Sequence, residues 1–262
     1  MFRRFDIDFT GSDIDGSNTF DVLQTSINFE DIVRGRKGAI LVDADKDGPS
    51  SLGVTPLVRS TTPYTRPAQR FRQTHYDLMD RIIQRSKLDM RFDNAMIEKY
   101  DQSYRNMGYH TDQSLDLAND SYICLFSCYE NGSNDSNDVR KLLIKNKTTL
   151  VCTEIQLFNN TAVLFSTATN TEHVHKIVLE SDRSKNRWLG ITFRLSKTCV
   201  RFVDEVPYFY DAKHNSCTKI LQLASADERK EFMTHKGKEN TQIGYAYPEI
   251  DYTISPGDLI SV

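Results

Sequence analysis

The chain has no apolar run near the roughly 18 residues that a membrane-spanning helix needs, which excludes an α-helical span. Its opening, Met1-Phe-Arg-Arg-Phe-Asp-Ile-Asp8, places acids where a secretory leader carries its apolar stretch. An intracellular location, cytoplasmic or nuclear, is expected. Without a leader, the sequons at Asn119, Asn131, Asn134, Asn146 and Asn159 reflect an Asn-rich composition, not glycosylation. Cysteine is scarce. Cys124, Cys128, Cys152, Cys199 and Cys217 are an odd set, widely spaced, in a chain large enough to fold without staples, so a reducing compartment fits. Cys124 and Cys128 share one face of a strand-like run and read as buried small apolar residues; two further ligands for a zinc site are missing. A net charge of −3 excludes a polycation, so nucleic-acid binding would need a local patch. No internal repeat is present.

What is present is a globular composition: 262 residues, 39% hydrophobic and 26% charged, enough for one large core with extensions. Residues 1–60 are rich in Asp, Gly and Ser and read as a partly irregular N-terminal extension, with strand-like pieces at Phe20–Phe29 and Ala39–Val42. Asp43-x-Asp45-x-Asp47-Gly48 begins like a calcium loop, but the twelfth position is Val54 instead of a bidentate Glu and Pro49 follows the glycine. An exposed acidic turn is expected there.

Residues 61–205 read as the main domain. A helix is expected from about Pro67 to Lys87, with Phe71, Tyr76, Leu78, Met79, Ile82 and Ile83 near helical period. Arg66 to Arg91 is the most basic stretch of the chain, and the acids Asp77, Asp80 and Asp89 dilute it towards a solvated helix face. Short strands follow: Ala95–Tyr100, Gly108–Thr111, Ser121–Tyr129, Arg140–Leu143, Leu150–Gln156, Ala162–Phe165, His175–Leu179, Trp188–Leu195 and Cys199–Val203. Their spacing implies a mainly β (α+β) fold, a sandwich or jelly roll with a helix packed on one sheet. Residues 206–262 read as a C-terminal extension with a short helix at Ala224–His235, opened by Asp227 and Glu228.

The chemistry-bearing residues are His110-Thr111-Asp112 and the distant His175. Two imidazoles and one carboxylate hold a non-haem Fe(II) on one face and leave the other positions open to a co-substrate and O₂. Positions i and i+2 of a strand share a face, so His110 and Asp112 can point into one sandwich mouth. His173 competes with His175 for the third place; His175 immediately precedes an apolar run and sits at a strand mouth.

The surrounding sequence resembles the AlkB-like 2-oxoglutarate and Fe(II)-dependent dioxygenases. Tyr100-Asp-Gln-Ser-Tyr-Arg-Asn-Met-Gly-Tyr-His110-Thr-Asp112 looks like the family's first metal motif, and Leu164 to Ile177 like the segment with the distal histidine. Leu189-Gly-Ile-Thr-Phe-Arg194 resembles its closing strand. The three blocks stand in the family's order over roughly residues 92–203. The resemblance implies a double-stranded β-helix (a jelly roll with flanking helices). It implies His110, Asp112 and His175 as Fe(II) ligands, Tyr100 as a donor to 2-oxoglutarate and Arg194 as a carboxylate clamp. With O₂, such a site hydroxylates or oxidatively demethylates its substrate.

Two positions depart from the pattern. The family's first clamp arginine lies six residues before the second; here that place is Trp188, and Arg187 is one step out of phase. A bulge would realign Arg187; otherwise Arg194 holds the carboxylate alone. Glu98 replaces the asparagine two residues before the tyrosine. Alkylated nucleic acid is the favoured substrate, gripped by the Arg66–Arg91 stretch with Tyr64, Tyr76, Tyr104 or Tyr109 stacking on a flipped base. A protein side chain is the second, and a catalytically inactive jelly-roll binding module is the reading from another class.

Overall fold

The computed structural model describes residues 1–10, 18–43, 53–132, 134–181 and 184–262; the acidic turn expected beyond Asp43 lies outside these. The chain begins β1 (Arg3–Asp6), α1 (Thr19–Thr25), β2 (Glu30–Val33), β3 (Arg36–Val42), β4 (Val54–Leu57), β5 (Gln69–Arg70) and α2 (Gln73–Ser86). Then come β6 (Asn94–Tyr100), β7 (Tyr122–Tyr129), β8 (Arg140–Asn146), β9 (Cys152–Leu157), β10 (Thr161–Ser166), α3 (Thr167–Glu172), β11 (His173–Val178) and β12 (Trp188–Arg194). The last part holds β13 (Thr198–Val203), β14 (Val206–Asp211), β15 (Ser216–Ile220), β16 (Gln222–Leu223), α4 (Ala226–Thr241) and β17 (Tyr252–Thr253). No described helix is long and apolar enough to cross a membrane.

The fold is mainly β, built from antiparallel sheets with few helices. The main sheet runs β1-β10-β7-β12-β6-β3-β2, with β5 added to β3, and a smaller sheet runs β11-β8-β9. A third sheet, β15-β14-β13-β4, continues from the end of β12. Residues 1–42 thus supply both ends of the main sheet, because β1 pairs with β10 and β3 pairs with β6.

Period-two alternation separates two cores. Ala95, Ile97, Cys124, Phe126, Cys128, Leu189, Ile191 and Phe193 turn to one face of the main sheet, where α1 and α2 cover them. Tyr100, Ile123, Leu125, Tyr129, Val163, Phe165 and Trp188 turn to the other and meet Leu142, Ile144 and Ile177 of the smaller sheet. The helix α2 contributes Leu78, Met79 and Ile82, all fully buried; truncating one such side chain to alanine costs about 2–5 kcal/mol. All five cysteines are free thiols, with Cys124 and Cys128 buried.

Several expected elements differ. Phe20–Phe29 is not a strand: Phe20 and Leu23 are buried in the helix-side core at the i, i+3 spacing of a helix, α1, and Ile27 joins that core just beyond the helix end. The helix expected from Pro67 begins at Gln73, because the edge of β3 first captures Gln69–Arg70 as β5. Phe71 N–H then donates to Val42 O at 2.9 Å. Gly108–Thr111 is no strand, although His110 forms a single bridge to His175. The polar stretch Thr167–Glu172 is a short helix capped by Ser166, whose Oγ accepts from Thr169 N–H at 3.1 Å.

Candidate metal centre

The site lies between the two sheets, lined by residues of β6 and β12 on one side and of β8 and β11 on the other. His110 N–H donates to His175 O at 3.0 Å and His175 N–H donates to His110 O at 2.7 Å, so a reciprocal backbone bridge fixes the two imidazoles side by side. Asp112 is held from α3: its N–H donates to Asn170 Oδ1 at 3.0 Å, and Asn170 Nδ2 donates back to Asp112 O at 2.7 Å. Asn170 is itself buried, so this amide clamp is shielded from water.

One nitrogen of His110, one oxygen of Asp112 and one nitrogen of His175 all lie within 4.8 Å of one another. Asp112 Oδ1 is 3.8 Å from His110 Nε2 and 3.7 Å from His175 Nε2, too far for a hydrogen bond. His110 Nδ1 donates to Gly108 O at 3.0 Å, which turns the Nε2 lone pair inwards. Desolvation lowers His110 below the usual imidazole value, and burial together with the neighbouring His110 pushes His175 down to about 3. Burial alone would raise Asp112, but Arg194, His175 and His110 hold its carboxyl well below the ordinary range. At neutral pH the cluster is two neutral imidazoles and one carboxylate, the protonation state that ligates a metal. His173 takes no part: its Nδ1 donates to Thr169 O at 2.9 Å, and its Nε2 meets Asn146.

A scan against protein-family models finds no match. A search of curated proteins finds none either. Among solved structures, the chain is similar to one described as "The structure of OsALKBH1". The TM-score is 0.49 at 14% identity, over 74% of this chain and 97% of that chain.

The residues around the triad divide sharply. Arg194 Nε and Nη2 donate to Asp112 Oδ2 at 3.3 and 3.2 Å, leaving Oδ1 to the histidines. Arg187 points away. It pairs with Glu130 and stands over Phe20 of α1, on the helix-covered face of the sheet. No bulge brings it round; Trp188 occupies the inward position, with its Nε1 donating to Ser127 Oγ at 2.7 Å. Gly190 makes room for that indole, since a Cβ there would lie 2.0 Å from the ring. Tyr100 also lines the inner wall, but its hydroxyl donates to Glu98 Oε2 at 2.5 Å. Glu98 Oε1 in turn accepts from Arg36 Nε at 2.7 Å.

Two hollows meet at the triad. The inner one, between Trp188, Tyr100, Met107 and the triad, is about 40 Å³, room for a few waters. The outer groove is about 280 Å³ and includes His110, Asp112, Arg194, Arg36, Tyr104 and Tyr109 in its walls. Just outside it, Lys145 and Lys176 both stand 4.8 Å from the Tyr109 ring. Tyr64 is buried against Gly38, and Tyr76 packs on Phe71 with its hydroxyl donating to Asp43. The basic helix α2 covers the face of the main sheet opposite the triad. The basic stretch is partly engaged there: Arg81 of α2 donates to Asp8 O, and Arg91, beyond the end of the helix, donates to Asp80.

Sequence reasoning missed Arg36, Asn170 and the α4 residues that touch the ligand segment. Arg36 lies in a stretch that reads as peripheral, and Asn170 in one that reads as a polar turn; neither position carries a local signal.

Proposed function

We propose that the chain is a non-haem Fe(II) oxygenase of the AlkB-like, 2-oxoglutarate-dependent type, with His110, Asp112 and His175 as its iron ligands. One observation carries this reading. Asp112 Oδ1 faces a nitrogen of each histidine at 3.7 and 3.8 Å, and all three donor atoms lie within 4.8 Å of one another with no hydrogen bond between them, an arrangement that is unfavourable unless a cation lies among them. The donor set, two imidazoles and a carboxylate, fits iron, and the groove beside it leaves positions open. The chain's path supports the family reading as well. From β6 to β12 it passes repeatedly between the main and the smaller sheet, as a double-stranded β-helix does.

Iron at this place supplies activation of O₂ for attack on a C–H bond of the substrate. The chain's own residues do the rest. Arg194 orients Asp112, the Asn170 clamp and the backbone bridge hold the ligands, and the apolar inner wall of Leu125, Phe165 and Ile177 shields them from bulk solvent.

The inner hollow does not fit 2-oxoglutarate, a molecule of ten heavy atoms, because Trp188 fills the place of a clamp arginine and Tyr100 is committed to Glu98. The outer groove has the volume, and there Arg36 and Arg194 offer guanidinium to a carboxylate. The substrate would enter by the same groove. Its arginines Arg36, Arg59 and Arg194 are each paired, with Glu98, Asp116 and Asp112; their remaining N–H groups suffice for one small carboxylate and not for a run of phosphates, so an alkylated nucleic acid would have to be gripped at the rim by Lys145, Lys176 and Tyr109. The departures at Trp188 and Glu98 favour a second reading, a metal-binding jelly roll without 2-oxoglutarate turnover.

Anaerobic titration with Fe(II) and 2-oxoglutarate separates the two. A visible charge-transfer band that disappears in His110→Ala and Arg194→Ala, with succinate formed in air, is expected for the oxygenase. Bound Fe(II) with no band at any 2-oxoglutarate concentration would discard the co-substrate and leave the second reading.

A further inference from the structure

The helix α4 is an unusual element to find packed. Of its sixteen residues, the buried ones are Phe232, Lys236 and Glu239, one stripe with two charges in three positions. Burying a lysine and a glutamate costs several kcal/mol unless both are fully satisfied, so where their hydrogen bonds go is informative. They go to the ligand segment. Lys236 Nζ donates to Thr111 O and, at 2.7 Å, to Glu239 Oε2. Glu239 Oε1 accepts from Ser114 N–H at 2.8 Å and from Ser114 Oγ at 2.7 Å. Asn240 Oδ1 accepts from Thr111 N–H at 2.9 Å.

Thr111 lies between His110 and Asp112, and α4 holds both of its backbone groups. The Thr111 hydroxyl donates to His173 O at 2.9 Å, which ties the same residue to the strand of the third ligand. Tyr247 and Lys147 complete the network: Tyr247 OH donates to Glu239 Oε2 at 2.9 Å, and Lys147 Nζ donates to the Glu239 and Thr171 carbonyls, each at 2.7 Å. The strand pairing of His110 with His175 is a single bridge, so β-structure alone leaves the His-x-Asp spacing weakly fixed.

We propose that α4 is a positioning latch for the metal centre, with Lys236 and Asn240 as the positioning residues that set the separation of His110 and Asp112. The inference rests on the metal-centre reading above and assigns a role to a C-terminal segment that the sequence leaves without one. Coupling of this kind is reciprocal. If docked α4 raises metal affinity, bound metal stabilises docked α4 by the same factor.

The test is Co(II) binding by full-length protein, followed by the visible d–d spectrum, together with hydrogen exchange of residues 226–241 with and without Co(II). Partners that orient a metal ligand are worth about 10- to 100-fold in affinity, and Lys236→Met is expected to lose that much with the circular dichroism of the sheets retained. Asn240→Ala is expected to weaken binding and alter the spectrum, while Asn240→Asp, which keeps the acceptor, restores both. The exposed Lys238→Met should bind as wild type. Co(II) should slow exchange in α4 of wild type and do so less in Asn240→Ala. Folded Lys236→Met and Asn240→Ala proteins that bind Co(II) as tightly as wild type would overturn the latch while leaving the metal centre standing. Exchange in α4 indifferent to Co(II) would do the same. Should Lys236→Met not fold, the Asn240 pair decides alone. Wild type that binds no Co(II) would overturn the metal reading and the latch with it.

Discussion

Replacing Arg194 by methionine separates what the arginine does for the folded chain from what a metal does. The Asp112 carboxylate and the guanidinium are each 7% exposed, joined by two hydrogen bonds of 3.2 and 3.3 Å. Removing one partner of a buried ion pair typically costs about 3–5 kcal/mol, because the other charge stays buried without its counter-ion. In a chain of this size that corresponds to about 6–20 °C in melting temperature. The pH dependence has a definite sign. Asp112 is depressed in the native protein, so its contribution is complete above the unfolded carboxylate value of about 3.9 and is lost as pH falls below it. In Arg194→Met the depressing cation is gone and burial raises the group. The variant's deficit is therefore largest near pH 7 and shrinks towards pH 4. A divalent ion takes over the missing charge. Co(II) at a hundred times its Kd stabilises any form that binds it by about 2.7 kcal/mol. At a fixed Co(II) concentration the variant should gain more than wild type: the Asn170 clamp still holds the Asp112 backbone, so losing the repulsion by Arg194 outweighs losing its orienting hydrogen bonds. Calorimetry in EDTA and in Co(II) reads both effects. An apo variant within about 0.5 kcal/mol of wild type, or equal Co(II) shifts in the two proteins, would refute the reasoning, since an exposed pair would behave that way.

Two further predictions follow from the titrating groups. Metal affinity falls when its ligands protonate. With His175 near 3 and His110 lowered, Co(II) binding should hold as pH falls and be half lost only below the ordinary imidazole value of about 6.5; a midpoint at or above that value would contradict the burial argument. Asp258 is raised to about 7, chiefly by burial. A folded carboxyl raised in this way loses stability as pH climbs from the unfolded value of about 3.9 through 7. Asp258→Asn, which can still accept from Thr253 Oγ1, should therefore raise the melting temperature at pH 8 and leave it nearly unchanged at pH 4. Equal shifts at the two pH values would count against it.

The sequence announces the candidate metal cluster more clearly than its surroundings. His110, Asp112 and His175 are legible because spacing on extended chain determines which side chains share a face, and because the apolar run after His175 marks the strand that carries it. Most strands from Asn94 to Val203 are legible for the same reason. The period misleads where the stretch is short: Phe20 and Leu23 fit a helix once a core exists to receive them. The fate of the arginines follows from a single step of register. Arg187 and Trp188 are adjacent, so one must face the helices and the other the ligands, and only the packed structure shows the indole seated over Gly190. Arg36, Lys236 and Asn240 reach the site from 60 or more residues away in sequence. No local pattern encodes such tertiary contacts.

Trp188 is the sole tryptophan of the chain, and its ring forms a wall of the chamber beside His110, Asp112 and His175. Excited in the ultraviolet, the protein therefore emits indole fluorescence from one place, a dry, hydrogen-bonded spot at the centre of interest. Paramagnetic ions quench such emission at short range, and diamagnetic Zn(II) does not. The molecule thus carries its own unlabelled optical probe, able to report metal arrival and exchange in a stopped-flow cuvette with no other tryptophan to blur the trace.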